Sequence, residues 1–236
     1  MAEIDDLLDN FAFRCFREVT DCDYICARMS YRAWLTMQYL WSSQQALEKY
    51  LKRILLLNRV EAVDVGHRLG VALRKLQHSS KVALGLTDVT LDFVEYLDAY
   101  GRFRYLEASP FTFGRDIIKL DRAVWERRRF CTRFTAPRQK ELREGQPAPK
   151  VRLPGGYLEK VADDLKHPAR EPLLWQNGFF GRRTRRRVRV YRGFSFTNSP
   201  LFLYPDLLGE VQKYVHVPKD IKDAYCAAGT GRRPRM

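Results

Sequence analysis

Between Asp23 and Asn58 the chain has neither glycine nor proline, and Ala33, Met37, Leu40, Gln44, Leu47, Leu51 and Ile54 recur three or four residues apart. That spacing keeps one stripe of a 3.6-residue helix facing inward, and it predicts one or two long amphipathic helices. Ile4 to Val19 repeats the pattern with Leu7, Leu8, Phe11, Phe13 and Phe16, predicting a further helix packed on the first. After a connector from Asn58 to Gly66, residues His67 to Gln77 place Leu69, Val71, Ala72, Leu73 and Leu76 on a short helix. Thr87 suits the N-cap of the next helix, with Asp88 in its first turn and Leu91, Val94 and Leu97 repeating down to Tyr105. Short connections between successive helices imply antiparallel neighbours. The expected core therefore contains Leu40, Leu47, Leu51, Leu69, Leu73, Val94 and Leu97.

Ser109-Pro110 interrupts the pattern, and Arg115 to Arg129 resumes it with Ile117, Ile118, Leu120, Val124 and Trp125 as the apolar side. Pro137 to Gly156 is crowded with proline, glycine and basic residues and reads as a loop. Tyr157 to Leu165 has helical spacing. Leu173 to Phe180 and Val188 to Phe196 read as extended segments around a Gly181-Arg-Arg-Thr-Arg-Arg turn, a small β-hairpin. Pro205 to Tyr214 is helical again, by Leu207, Leu208, Val211 and Tyr214. The expected fold is mainly α: an antiparallel four-to-five-helix bundle over residues 1–130, a linker over 131–156, a mixed basic extension over 157–226 and a disordered tail over 227–236.

With 236 residues and 45% hydrophobic composition, the chain has ample material for a packed core. Arg or Lys interrupts every apolar run well short of the roughly 20 residues that span a bilayer, so no membrane contact is expected. The opening Met-Ala-Glu-Ile-Asp-Asp is acidic and lacks the apolar centre of a signal peptide, which points to the cytoplasm. Cys15, Cys22, Cys26, Cys131 and Cys226 include no C-x-x-C pair and no histidine at zinc-ligand spacing. Reduced thiols, no metal and no cofactor are the expectation.

Charge divides the chain more sharply than hydrophobicity does. Residues 1–100 carry 12 Lys/Arg against 14 Asp/Glu, and residues 101–236 carry 30 against 14, giving −2 and +16. A field concentrated in one half favours polyanions such as RNA, and such affinity falls steeply with salt.

One stretch carries a family resemblance. In Tyr39 to Asn58, Gln45-Ala46, Glu48-Lys49 and Lys52 resemble the second-helix pattern of HEPN domains. Gly66-His67-Arg68-Leu69 is similar to the His-x-Leu that opens the next helix, and Arg102-Phe-Arg104-Tyr105 is similar to an Arg-Tyr pair at the end of the fourth. The resemblance covers residues 20–108. It implies a helical bundle that dimerises across a helical face and acts as a metal-independent ribonuclease, an RNA-binding module or the non-catalytic partner of a nucleotidyltransferase, including toxin–antitoxin and defence systems. By the residues alone, Glu48 and Lys52 form a solvated i,i+4 pair, Gln45 bonds inside the bundle, and His67 serves the start of its helix.

The ribonuclease motif of the family needs an arginine followed by a histidine with four to six residues between, because a cation must meet the developing charge while imidazole moves a proton. Here Arg74 and His78 have three residues between them, Arg59 and His67 have seven, and after Arg102 and Arg104 the next histidine is His167. The expected catalytic set is therefore empty. An atypical site of His67 with Arg102 or Arg104 is the alternative.

A second candidate is the run Arg182-Arg-Thr-Arg-Arg-Arg-Val-Arg-Val-Tyr-Arg192. On a strand, alternation would put Arg185, Arg187, Arg189 and Tyr191 on one face, guanidiniums about 7 Å apart and ending in an aromatic ring. That suits a phosphate backbone with a stacked base, and Arg182 and Arg183 extend it. An edge strand kept soluble by its charge explains the same residues. The functional expectation is a non-catalytic module binding RNA or another polyanion, or an interaction subunit, with an atypical endoribonuclease as alternative.

Overall fold

The computed structural model describes residues 8–9, 11–79, 84–100, 111–133, 156–180, 194–196 and 208–214. The architecture is a helical bundle built round one long helix. Helix α1 (Val19–Arg32) leads into α2 (Thr36–Leu57), followed by α3 (Leu69–His78), α4 (Asp88–Tyr100), α5 (Asp116–Arg133), and the short α6 (Tyr157–Asp163), α7 (Arg170–Leu174) and α8 (Leu208–Val211). At 1.5 Å per residue α2 is about 33 Å long, and α1, α3, α4 and α5 all pack against it or against its neighbours. Among the described residues no helix is long and apolar enough to cross a membrane.

The expected core is the observed one. Leu40, Leu47 and Leu51 of α2, Leu69 and Leu73 of α3, and Val94 and Leu97 of α4 are all buried in a single cluster with Leu120 and Val124 of α5. The same cluster takes in Leu158 and Val161 of α6 and Leu173 of α7. The segment 156–180 is thus packed into the bundle. Trp125 sits at the rim, its ring against Phe179 and Phe180.

Three expectations are corrected. The N-terminal segment is not a separate helix: Ala12–Glu18 is π-helical, runs without a break into α1 and packs on α2. The hairpin is also different. Residues 170–174 are helical and 175–180 are turns and bends. The strand Phe194–Phe196 (β2) instead pairs antiparallel with Phe111–Phe113 (β1), Thr112 opposite Ser195. The Arg115–Arg129 helix starts one residue later and continues to Arg133.

The break between α1 and α2 has no glycine or proline. Trp34 takes the left-handed conformation at φ 61°, while Trp34 N–H donates to Tyr31 O and Leu35 N–H to Ser30 O. Arg59, at φ 55°, ends α2 the same way, with Arg59 N–H to Leu56 O and Val60 N–H to Leu55 O. Both ends have the paired hydrogen bonds of a Schellman motif without its usual glycine.

Candidate functional site

The structure brings together three of the side chains that the sequence singles out. Glu48 projects from the middle of α2, where Lys52 lies one turn on and the turn preceding α3 crosses over it. Lys52 Nζ is 2.7 Å from Glu48 Oε1. His67 Nδ1 is 2.9 Å from Glu48 Oε2. The pair is not the solvated one expected: Glu48 is only 3% exposed, whereas the His67 side chain is 68% exposed. An ionised carboxylate only accepts, so Nδ1 is the donor in this contact, which leaves Nε2 out of it.

The backbone makes this placement. Gly66 adopts φ 55°, ψ −125°, a conformation that side chains disfavour, and turns the chain back over α2. Gln44, one turn before Glu48, donates from Nε2 to His67 O at 3.0 Å. The internal hydrogen bonding expected of Gln45 therefore belongs to Gln44, since Gln45 Nε2 is buried without a hydrogen-bond partner. Nor does His67 serve the start of α3. Asp98 of α4 does so, accepting from Leu69 N–H at 2.8 Å and Gly70 N–H at 3.2 Å, where a carboxylate meets both free amides and the positive end of the helix.

Arg102 and Arg104 lie outside the described residues, and so do Arg182, Arg183, Arg185, Arg187, Arg189 and Tyr191. The resolved chemistry at the site is an oriented imidazole backed by a buried carboxylate, a geometry able to take or give a proton at Nε2.

Sequence reasoning missed two buried networks of arginine and carboxylate. In the first, Arg28 of α1 bonds Asp121 of α5, donates from Nε to Pro172 O at 3.0 Å and also donates to Trp175 O. Tyr24 donates to Asp121 at 2.6 Å and accepts from Asn177 Nδ2 at 2.9 Å. Burial pushes the Tyr24 phenol well above its ordinary value, and Asp121 adds to the effect. Burial also raises the Asp121 carboxyl, against the pull of Arg28.

In the second, Arg128 of α5 reaches Asp21 of α1 through Nη2 at 3.0 Å and Glu159 of α6 through Nη2 at 2.8 Å, while Tyr50 of α2 donates to Asp21. Burial weakens the Arg128 charge, but Glu159, Tyr50 and Asp21 outweigh it and hold its pKa above the ordinary arginine value. Gly156 lies against this cluster, where a Cβ would collide with the ends of Arg17 and Arg128.

Arg127, next along α5, is treated differently. Its Nη1 donates to Ala123 O at 3.0 Å, but Nε and Nη2 are buried without a hydrogen-bond partner. Burial lowers its pKa to about 10, against some support from Glu126. Arg28 and Arg128 hold helices together, and all three arginines are buried rather than presented to a ligand. Signals for them existed in the sequence only as charged residues inside apolar runs.

No family model matches the chain, and comparison with curated proteins and with solved structures likewise finds no match.

Proposed function

We propose that this chain is a non-catalytic helical module of HEPN type that binds RNA or another polyanion through Arg182–Arg192. The observation that carries the reading is the charge split, −2 over residues 1–100 and +16 over residues 101–236. The packing sharpens it. Arg28 and Arg128 are consumed by Asp121, Asp21 and Glu159, so arginines of the bundle interior are not the ones that meet phosphate. The run from Arg182 to Arg192 holds seven arginines in 11 residues, with Tyr191 as a stacking ring.

The test is a gel-shift titration of the full chain with a generic single-stranded RNA. The wild type should bind with a steep loss of affinity as salt rises, and Arg185→Glu, Arg187→Glu and Arg189→Glu together should abolish the shift while helical circular dichroism stays intact. Unchanged affinity in that triple variant removes the arginine run from the reading.

A second reading has one specific observation in its favour, the contact of His67 with buried Glu48. An oriented imidazole with a free Nε2 is what an atypical metal-independent endoribonuclease would use to deprotonate a 2′-hydroxyl. Cleavage of RNA in EDTA by the wild type, lost in His67→Ala or Arg104→Ala, would put this reading in place of the first.

A further inference from the structure

Helix α1 turns a row of sulfur atoms outward. Cys22 and Cys26 are one turn apart in its regular α-helical part, and both are free and exposed. At about 100° per residue they stand within about 40° of each other round the axis, and Cβ atoms at this spacing are about 5–6 Å apart. Met29, three residues after Cys26, falls on the same face and is 49% exposed. The face is therefore rich in soft donors.

Burial of part of each thiol and the nearby carboxylates raise both pKa values. For Cys22 the causes are burial, then Asp21, Cys26 and Asp23, opposed by a hydrogen bond with Tyr157 of α6. For Cys26 they are burial and then Asp23. Asp21 is committed to Arg128, and Lys49 Nζ is 2.6 Å from Asp23, so placement of the sulfurs matters more than net charge.

The donor set also says which cation. Among the described residues no group of three His, Cys, Asp or Glu side chains is placed to hold a metal ion. Zinc asks for four such ligands in a structural site. A soft ion content with two thiolates does not, and thiolate donors select such ions.

We propose that Cys22 and Cys26 form a two-thiolate site for a soft monovalent d¹⁰ cation of the Cu(I) class. On binding, each S–H gives its proton to water and two metal–sulfur bonds form, so one cation enters as two protons leave. No electron moves. Cβ atoms about 5–6 Å apart on one helix face put both sulfurs within reach of a single ion between them.

The experiment is an anaerobic titration of the reduced full chain with Cu(I) supplied as its bicinchoninate complex, whose loss of colour reports transfer. The wild type is expected to withdraw one equivalent, confirmed as a single bound ion by native mass spectrometry. Cys22→Ser and Cys26→Ser should each abolish the transfer, because a single thiol does not compete with the chelator, while Cys15→Ser, Cys131→Ala and Cys226→Ser retain it. Circular dichroism shows that each variant is folded. Absence of transfer in the wild type, persistence in either Cys22→Ser or Cys26→Ser, or loss in one of the other three, overturns the site.

Discussion

Arg28 and Asp121, 93 residues apart in sequence, form an ion pair in the interior at which α1, α5 and the 170–180 segment meet. Both side chains are essentially without solvent, at 0% and 1% exposure. Removing water from two charges is costly, and their attraction is supported by hydrogen bonds from Tyr24 to Asp121 and from Arg28 to Pro172 O and Trp175 O, although Asp121 Oδ2 is buried without a hydrogen-bond partner among the described residues. Breaking one side is therefore worse than removing both. Arg28→Met or Asp121→Leu is expected to lower stability by about 3–5 kcal/mol, whereas the double variant Arg28→Met with Asp121→Leu should recover most of that loss. Urea denaturation of the two single variants and the double variant reads the difference. Equal and additive losses would mean that the charges do not act as a pair.

Arg127 leads to the opposite expectation. Two of its nitrogens are buried without a hydrogen-bond partner among the described residues, and its folded pKa of about 10 lies below that of a free arginine. A depressed folded pKa contributes stability only above the unfolded value, so at neutral pH this charge opposes folding. Arg127→Met keeps the length of the stem and removes the charge. It is expected to raise the thermal midpoint, with a gain on the order of 1 kcal/mol or more. A fall in the midpoint would show that the guanidinium is satisfied.

The link from Glu159 to Arg128 gives the docking of α6 a pH dependence. Burial pushes the Glu159 carboxyl up, but Arg128 outweighs it and leaves the folded pKa below the ordinary 4.5. A depressed carboxylate contributes stability above its unfolded pKa and loses it as pH falls through the folded one. Wild type and Glu159→Gln should therefore differ in thermal midpoint at neutral pH, with a difference that shrinks as pH falls below the ordinary glutamate value and closes below the folded one. A difference that is constant over that range assigns the effect to packing.

For α3, Asp98→Ala should cost about 1 kcal/mol, because two amides at the helix start lose their acceptor. Asp98→Asn keeps an acceptor and should cost less. Hydrogen exchange at Leu69 and Gly70 is the local check: faster exchange in Asp98→Ala alone fits the cap.

The hydrophobic period of the sequence was enough to place α2 to α5 and their buried faces. Leu40, Leu47 and Leu51 had to face inward together because a 3.6-residue repeat leaves them no other face. Several features were beyond such local reasoning. The end of α1 is marked by Trp34 in a left-handed conformation rather than by a glycine, so no residue type announced it. The partner of the Phe194–Phe196 strand lies at Phe111–Phe113, and pairing across that distance leaves no trace in a local pattern. Glu48 reads as a solvated neighbour of Lys52 until His67 is folded over it. The interior positions of Arg28 and Arg128 depend on carboxylates from other helices, Asp121, Asp21 and Glu159. One-dimensional periodicity sets which side of each helix avoids water; which charges can then be buried is decided by what the tertiary structure brings opposite them.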